Sequence, residues 1–299
     1  MLSSDFDHVD GLWGKPTAIY QKYRRFYDII GACQEIGEKL EGAAKKEGDG
    51  DEVEHAFLTI LGLADRGVAA AAILCNSGYA SEARVHSRSL FEHWVSALYV
   101  SMDPISTARL YNINHLLNLI TTMYRMTTPE DPIYQPTMPN MQERKEWALQ
   151  AFGDLREEFG KRGIPFYDSI NKLTQSQRRG WAGIGIADMV AKLKQHYEDS
   201  SLSKSLNDAY EYNYKPDCQF VHSAGISRAP VLKRWRAIGS YLTGPTEEGV
   251  EEALYATTSN FLKLLIVLVP SLCPQREKEM IATLSGLASD LAGLVGKKD

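Results

Sequence analysis

Apolar residues return at alternating steps of four and three along most of this chain, which restricts it to helices packed on helices. Ile19, Tyr23, Phe26, Ile30, Cys33, Gly37 and Leu40 fall on one stripe, the pattern of a helix with one buried face. Pro16 stands where the first turn begins, and the Gly48-Asp49-Gly50 cluster ends the run. Val53, Phe57, Ile60, Ala64, Gly67, Ala71 and Leu74 then repeat the same steps. The short connection makes these two long helices antiparallel neighbours.

A third helix is expected from Ala80 to Ser101. Phe91, Trp94, Val95, Ala97, Leu98, Tyr99 and Val100 make its second half apolar on nearly every side, so it sits centrally. Asp103-Pro104 starts a fourth, with Leu110, Ile113, Leu117, Ile120 and Tyr124 on one face, and a polar fifth runs from Met141 to Lys161. Residues 163–185 give no clear pattern. Helices return at 186–197, at 201–214 and after Pro216, and the last two cover 247–269 and 277–295. Val231 to Leu242 reads as a short extended piece, a β-hairpin at most. The expectation is a single all-α domain over 1–299: a long-helix bundle over 1–127, a Pro-rich loop over 128–140 and a helical part over 141–299.

With 299 residues, such a chain buries enough surface to dispense with disulfides or structural metal. Cys33, Cys75, Cys218 and Cys273 show no C-x-x-C spacing, which fits a reducing cytoplasm. A net charge of −5 argues against a broad nucleic-acid footprint and leaves room for a local one. The N-terminal stretch MLSSDFDHVDGLWGK is acidic and lacks the apolar run of a signal peptide. Phe261 to Leu272 is the most apolar stretch. It is short for a bilayer and contains Lys263 and Pro270, so it reads as a core helix and no membrane partner is expected.

Two clusters could carry chemistry. On the third helix, Arg88 and Glu92 are four apart and share a face, where the helix enters its apolar half. They are either a structural ion pair or the wall of a pocket. Arg88 and His93 also spell R-x4-H. His86 and His93 are seven apart, about 10.5 Å of helical rise, too far to share a metal unaided. The second cluster is Tyr214, Lys215, Cys218, His222 and Ser223, in which Tyr214, Cys218 and His222 would line one face of an unbroken helix. Pro216 disfavours helix at Lys215 and is a candidate first helical residue.

Gly180, Gly183 and Gly185 are in the wrong order for a dinucleotide loop and read as a turn or close packing. Arg228, Lys233, Arg234 and Arg236 around Trp235 form a basic, aromatic patch, either a solvated rim or a grip on phosphate and base.

Three elements in order carry a resemblance: A-R-x-H-S-R-S-L-F-E over Ala83 to Glu92, W-x-G-x-x-I at Trp181, Gly183 and Ile186, and Y-x3-C-x3-H-S over Tyr214 to Ser223. Together they resemble a bacterial all-helical family classed as a domain of unknown function. Its late segment is similar to the R-x4–6-H motif of HEPN domains, helical modules of toxin–antitoxin and phage-defence systems. The resemblance implies a metal-independent endoribonuclease site at a homodimer interface. His222 would move the proton of the ribose 2′-hydroxyl; Lys215 or Arg88 would stabilise the phosphate; Glu92 would orient Arg88. Tyr214, Ser223, Arg228, Arg234 and Trp235 would bind substrate. No cofactor is implied; the partners would be RNA and an antitoxin or defence-system protein. The sequence departs from the family pattern in having Lys215 for Arg, Pro216 directly after it, and Cys218 for Ser. The rival expectation is a non-catalytic interaction or ligand-binding protein in which these residues form a buried structural network.

Overall fold

The structure is a computed structural model that describes residues 17–44, 51–126, 140–198, 200–221 and 247–295. It is all-α, with no strand among the described residues. The helices are α1 (Ala18–Lys22), α2 (Arg24–Ala44), α3 (Glu52–Asn76), α4 (Ala80–Met102), α5 (Pro104–Asn112), α6 (Asn114–Met126) and α7 (Met141–Lys161). They continue with α8 (Ile170–Gln177), α9 (Ile186–His196), α10 (Ser201–Ala209), a π turn (Tyr210–Tyr214), α11 (Lys215–Val221), α12 (Val250–Leu272) and α13 (Glu277–Val295). The extended piece expected over 231–242 lies outside the described residues, as do Pro16 and the Gly48–Gly50 cluster.

Local chemistry explains several of the boundaries. Asp51 caps α3 by accepting from the backbone N–H groups of Val53 and Glu54, both at 2.9 Å. Gly78, at φ +80°, lets Tyr79 N reach Leu74 O at 2.8 Å and closes the end of α3. Pro104 opens α5, where its missing N–H is harmless. Thr17 caps α1 and donates to the Asn76 side chain at 2.6 Å, tying the start of the bundle to the end of α3.

The structure differs from the sequence reading at four points. The first long helix breaks at Tyr23, and the fourth breaks at Ile113, into α5 and α6. A stripe cannot see such breaks, because the apolar face stays in phase across them. Residues 163–185 contain a helix, α8, capped by Ser169. Finally, Pro216 does not begin a new element. The helix continues through it by widening to a π turn, in which Lys215 N bonds to Tyr210 O. That absorbs the bond a proline cannot make.

The main core is built around α4, which packs most extensively against α3 and α12. Phe57, Leu90, Phe91, Trp94, Phe261 and Leu265 are essentially inaccessible there. A second core joins α6, α7 and α8 through Leu117, Ile120, Phe159 and Leu173. Both α3 and α12 are long and apolar enough to cross a membrane by length and composition. The apolar run from Phe261 thus belongs to a helix of 23 residues, of whose most apolar window 72% is buried in the bundle.

Candidate functional site

Parts of the two clusters expected from the sequence meet where α4 packs against the π turn and α11: Arg88 and Glu92 from one, Tyr214 from the other. Arg84, Arg88 and Glu92 recur every four residues on α4, so all three face the same neighbour. Arg88 Nε and Nη2 each lie 3.0 Å from Glu92 Oε1. Tyr214 Oη donates to that same oxygen at 3.0 Å. The Arg88 guanidinium also lies over the Tyr214 ring, 5.6 Å from its centroid. Glu92 therefore fixes Arg88 from one side and the tyrosine face fixes it from another. The pair is partly buried, with 23% of the Arg88 side chain and 33% of the Glu92 side chain exposed.

One turn back, Arg84 Nε donates to Asp217 Oδ1 at 2.5 Å. Asp217 is completely buried. Burial pushes its carboxyl up to about 6, although Arg84 pulls the other way. Ser87 Oγ lies near enough to favour the ionised form. Neither it nor Asp217 Oδ2 makes a well-formed hydrogen bond among the described residues. Asn260 of α12 donates to the Ser87 carbonyl at 3.1 Å, and its own Oδ1 is likewise unsatisfied among them.

Lys215 points elsewhere. Its ammonium bonds both Glu211 oxygens at 2.7 and 2.8 Å and lies 5.0 Å from the centroid of the Tyr210 ring. Tyr210 stacks on Tyr214 with centroids 5.6 Å apart. Lys215 and Arg88 thus engage different carboxylates and different rings. Burial pushes the Tyr214 hydroxyl up, and the Glu92 charge adds to this, so it remains a donor.

The R-x4-H pair does not converge. A five-residue offset turns His93 about 140° around the helix from Arg88. Burial holds the His93 imidazole down at about 4, so it is neutral. His86 is also lowered by burial. Cys218 is half-buried. His222, Ser223, Arg228, Arg234 and Trp235 lie outside the described residues. Among those described, no three His, Cys, Asp or Glu side chains are grouped to hold a metal.

The glycine cluster is a turn between α8 and α9. Gly180 and Gly183 have φ of +134° and +73°, and a Cβ at Gly183 would stand 2.3 Å from Ser176 Oγ. Beside it, Trp181 Nε1 donates to Ser96 Oγ of α4 at 3.0 Å, and its ring meets Tyr99 and Tyr111 edge-on. The W-x-G-x-x-I element is thus an anchor that fixes α9 against α4.

Residues 54–233 match the family of unknown function DUF5677. The chain belongs to that family. The DUF5677 segment runs from the first turn of α3 past α11, so it takes in both sides of the polar cluster, along with His222, Ser223 and Arg228. Arg234 and Trp235 fall just beyond it. No match is found among curated proteins or solved structures.

Sequence reasoning named Arg88, Glu92 and Tyr214 and missed Asp217, Ser87 and Asn260. The available signal was an aspartate directly after Pro216, between the aromatic run Tyr210–Tyr214 and the apolar Phe220-Val221.

Proposed function

We propose that this chain is a HEPN-like module of the defence or toxin type, a cytoplasmic homodimer that cleaves RNA without a metal, with the α4–α11 cluster as its phosphate-binding site. The observation that carries the reading is the positioning of Arg88. A carboxylate and an aromatic face hold the guanidinium, part of its surface stays open, and it packs against the segment that leads into His222. A preoriented cation of this kind stabilises charge developing on a phosphate at little reorganisation cost. In this scheme His222 takes the proton from the ribose 2′-hydroxyl as that oxygen attacks phosphorus, and later returns one to the leaving 5′-oxygen. Glu92 and Tyr214 position Arg88. Lys215, exposed and held by Glu211, is the weaker of the two phosphate ligands expected. Ser223, Arg228, Arg234 and Trp235 would extend the RNA contact.

One observation favours the rival reading of a non-catalytic interaction protein. Arg84, Arg88 and Lys215 each carry an acidic partner, which is what a structural network requires. Fluorescence anisotropy with a labelled single-stranded RNA separates the two. The phosphate-site reading expects salt-dependent binding that Arg88→Ala weakens and His222→Ala leaves intact. Binding that is absent, or indifferent to Arg88, supports the interaction protein.

A further inference from the structure

On another face of α4, away from the Arg88 cluster, lies a groove of about 580 Å³ bounded by α4, α10 and α12. Trp94, Leu98, Leu202, Ile266 and Val267 make its walls largely apolar, and Lys263 also lines it. That volume lies in the range of small-molecule sites, roughly 300–1,000 Å³, which typically combine apolar walls with a few polar groups.

The lysine is the unexpected member. Its ammonium sits 4.9 Å from the centroid of the Trp94 ring and makes no ion pair among the described residues. Asp208 of α10 is the carboxylate whose field reaches it, without a bond. Burial pulls the Lys263 amine down to about 8, partly offset by Asp208. An apolar groove that retains a poorly solvated, unneutralised cation is complementary to one kind of molecule. That molecule has an apolar body of matching size and a single negative charge at one end.

We propose that the groove binds a medium-chain aliphatic carboxylate, with the carboxylate on Lys263 and the chain against Trp94, Leu98, Leu202, Ile266 and Val267. A neutral alcohol of the same length would fill the same walls and leave the cation without a partner. A dry apolar sink would not distinguish the two. The proposal does not depend on RNA cleavage, since the groove shares no residue with the Arg88 cluster.

Isothermal titration with decanoate and decylamine below their micelle concentrations, and with decanol below its solubility limit, tests this on the full chain. The expected result is saturable binding of decanoate at one site, about tenfold or more tighter than decanol, with decylamine weakest. Lys263→Met keeps the length of the side chain and removes the charge; it should bring decanoate down to the level of decanol. Ser205→Phe, which narrows the groove from α10 and leaves Lys263 in place, should weaken both ligands. Circular dichroism confirms that each variant is folded. The proposal is overturned if decanoate shows no saturable binding, if decanol binds as tightly as decanoate, or if Lys263→Met keeps wild-type affinity.

Discussion

Tyr214 Oη and Glu92 Oε1 meet at 3.0 Å across 122 residues of sequence, on the oxygen that also receives Arg88. One carboxylate oxygen thus closes the contact between α4 and the π turn. Because both bonds end on the same atom, removing them one at a time and together should give non-additive losses. Glu92→Gln should cost about 1–3 kcal/mol, and Tyr214→Phe about 1 kcal/mol, in urea unfolding. The double variant should fall short of the sum. Strict additivity would mean that the two contacts act independently.

Two groups, the fully buried Asp217 and the partly buried His93, should give the protein opposing pH dependences. His93 is held at about 4 against an ordinary 6.5. The unfolded chain therefore binds the extra proton between those values, and stability from this group is lost as pH falls from 6.5 to 4. Asp217 is raised to about 6 from 3.8. Here the folded chain holds the extra proton, and stability from this group falls as pH rises from 3.8 to 6. Unfolding free energy measured from pH 4 to 6.5 should slope upward with pH in Asp217→Asn and downward in His93→Gln, each relative to wild type. Curves parallel to wild type would contradict both assignments.

Gly183→Ala should destabilise by about 2 kcal/mol or more. The backbone there is left-handed at φ +73°, which disfavours any side chain by about 1–2 kcal/mol, and the new Cβ would stand 2.3 Å from Ser176 Oγ. A melting temperature unchanged from wild type would show that the α8–α9 turn can relax. Gly153 on α7, with nothing near its Cβ position, is the matched control and should tolerate alanine.

The limits of α4, α7 and α13 could be read closely from the sequence, because polar, glycine or proline residues bound each of them abruptly; α4 and α13 also carry a long apolar stripe. Such stripes report which face is buried; they do not report where a helix bends, so the breaks at Tyr23 and Ile113 were invisible. At eight residues, α8 is too short for its apolar residues to repeat convincingly. Within the site, Arg88 and Glu92 were legible because a four-residue spacing is a local rule. The Arg84–Asp217 pair spans 133 residues and rests on tertiary packing, which no local spacing encodes. Lys263 was visible only as a charge inside an apolar run; its place beside Trp94 depends on how α12 crosses α4.

The two cations near Tyr214 should differ sharply in effect. Arg88→Ala should lower RNA cleavage about 10²-fold, as for loss of one positioned charge-stabilising donor. Lys215→Ala removes an exposed side chain paired with Glu211 and should change the rate by less than about fivefold. Single-turnover rates with saturating RNA make the comparison. The reverse order would place the phosphate on Lys215 rather than on Arg88.

Cleavage of a single-stranded RNA by the purified chain in the presence of EDTA, wild type against His222→Ala, tests the functional reading most directly. Wild type should cut and leave 2′,3′-cyclic phosphate ends. His222→Ala should be slower by about 10²–10⁴-fold with its melting temperature unchanged, because a catalytic imidazole supplies proton transfer rather than packing. No cutting by wild type would overturn metal-independent RNA cleavage by this chain. A His222→Ala variant that loses activity only in proportion to its loss of folded protein would contradict a catalytic role for His222.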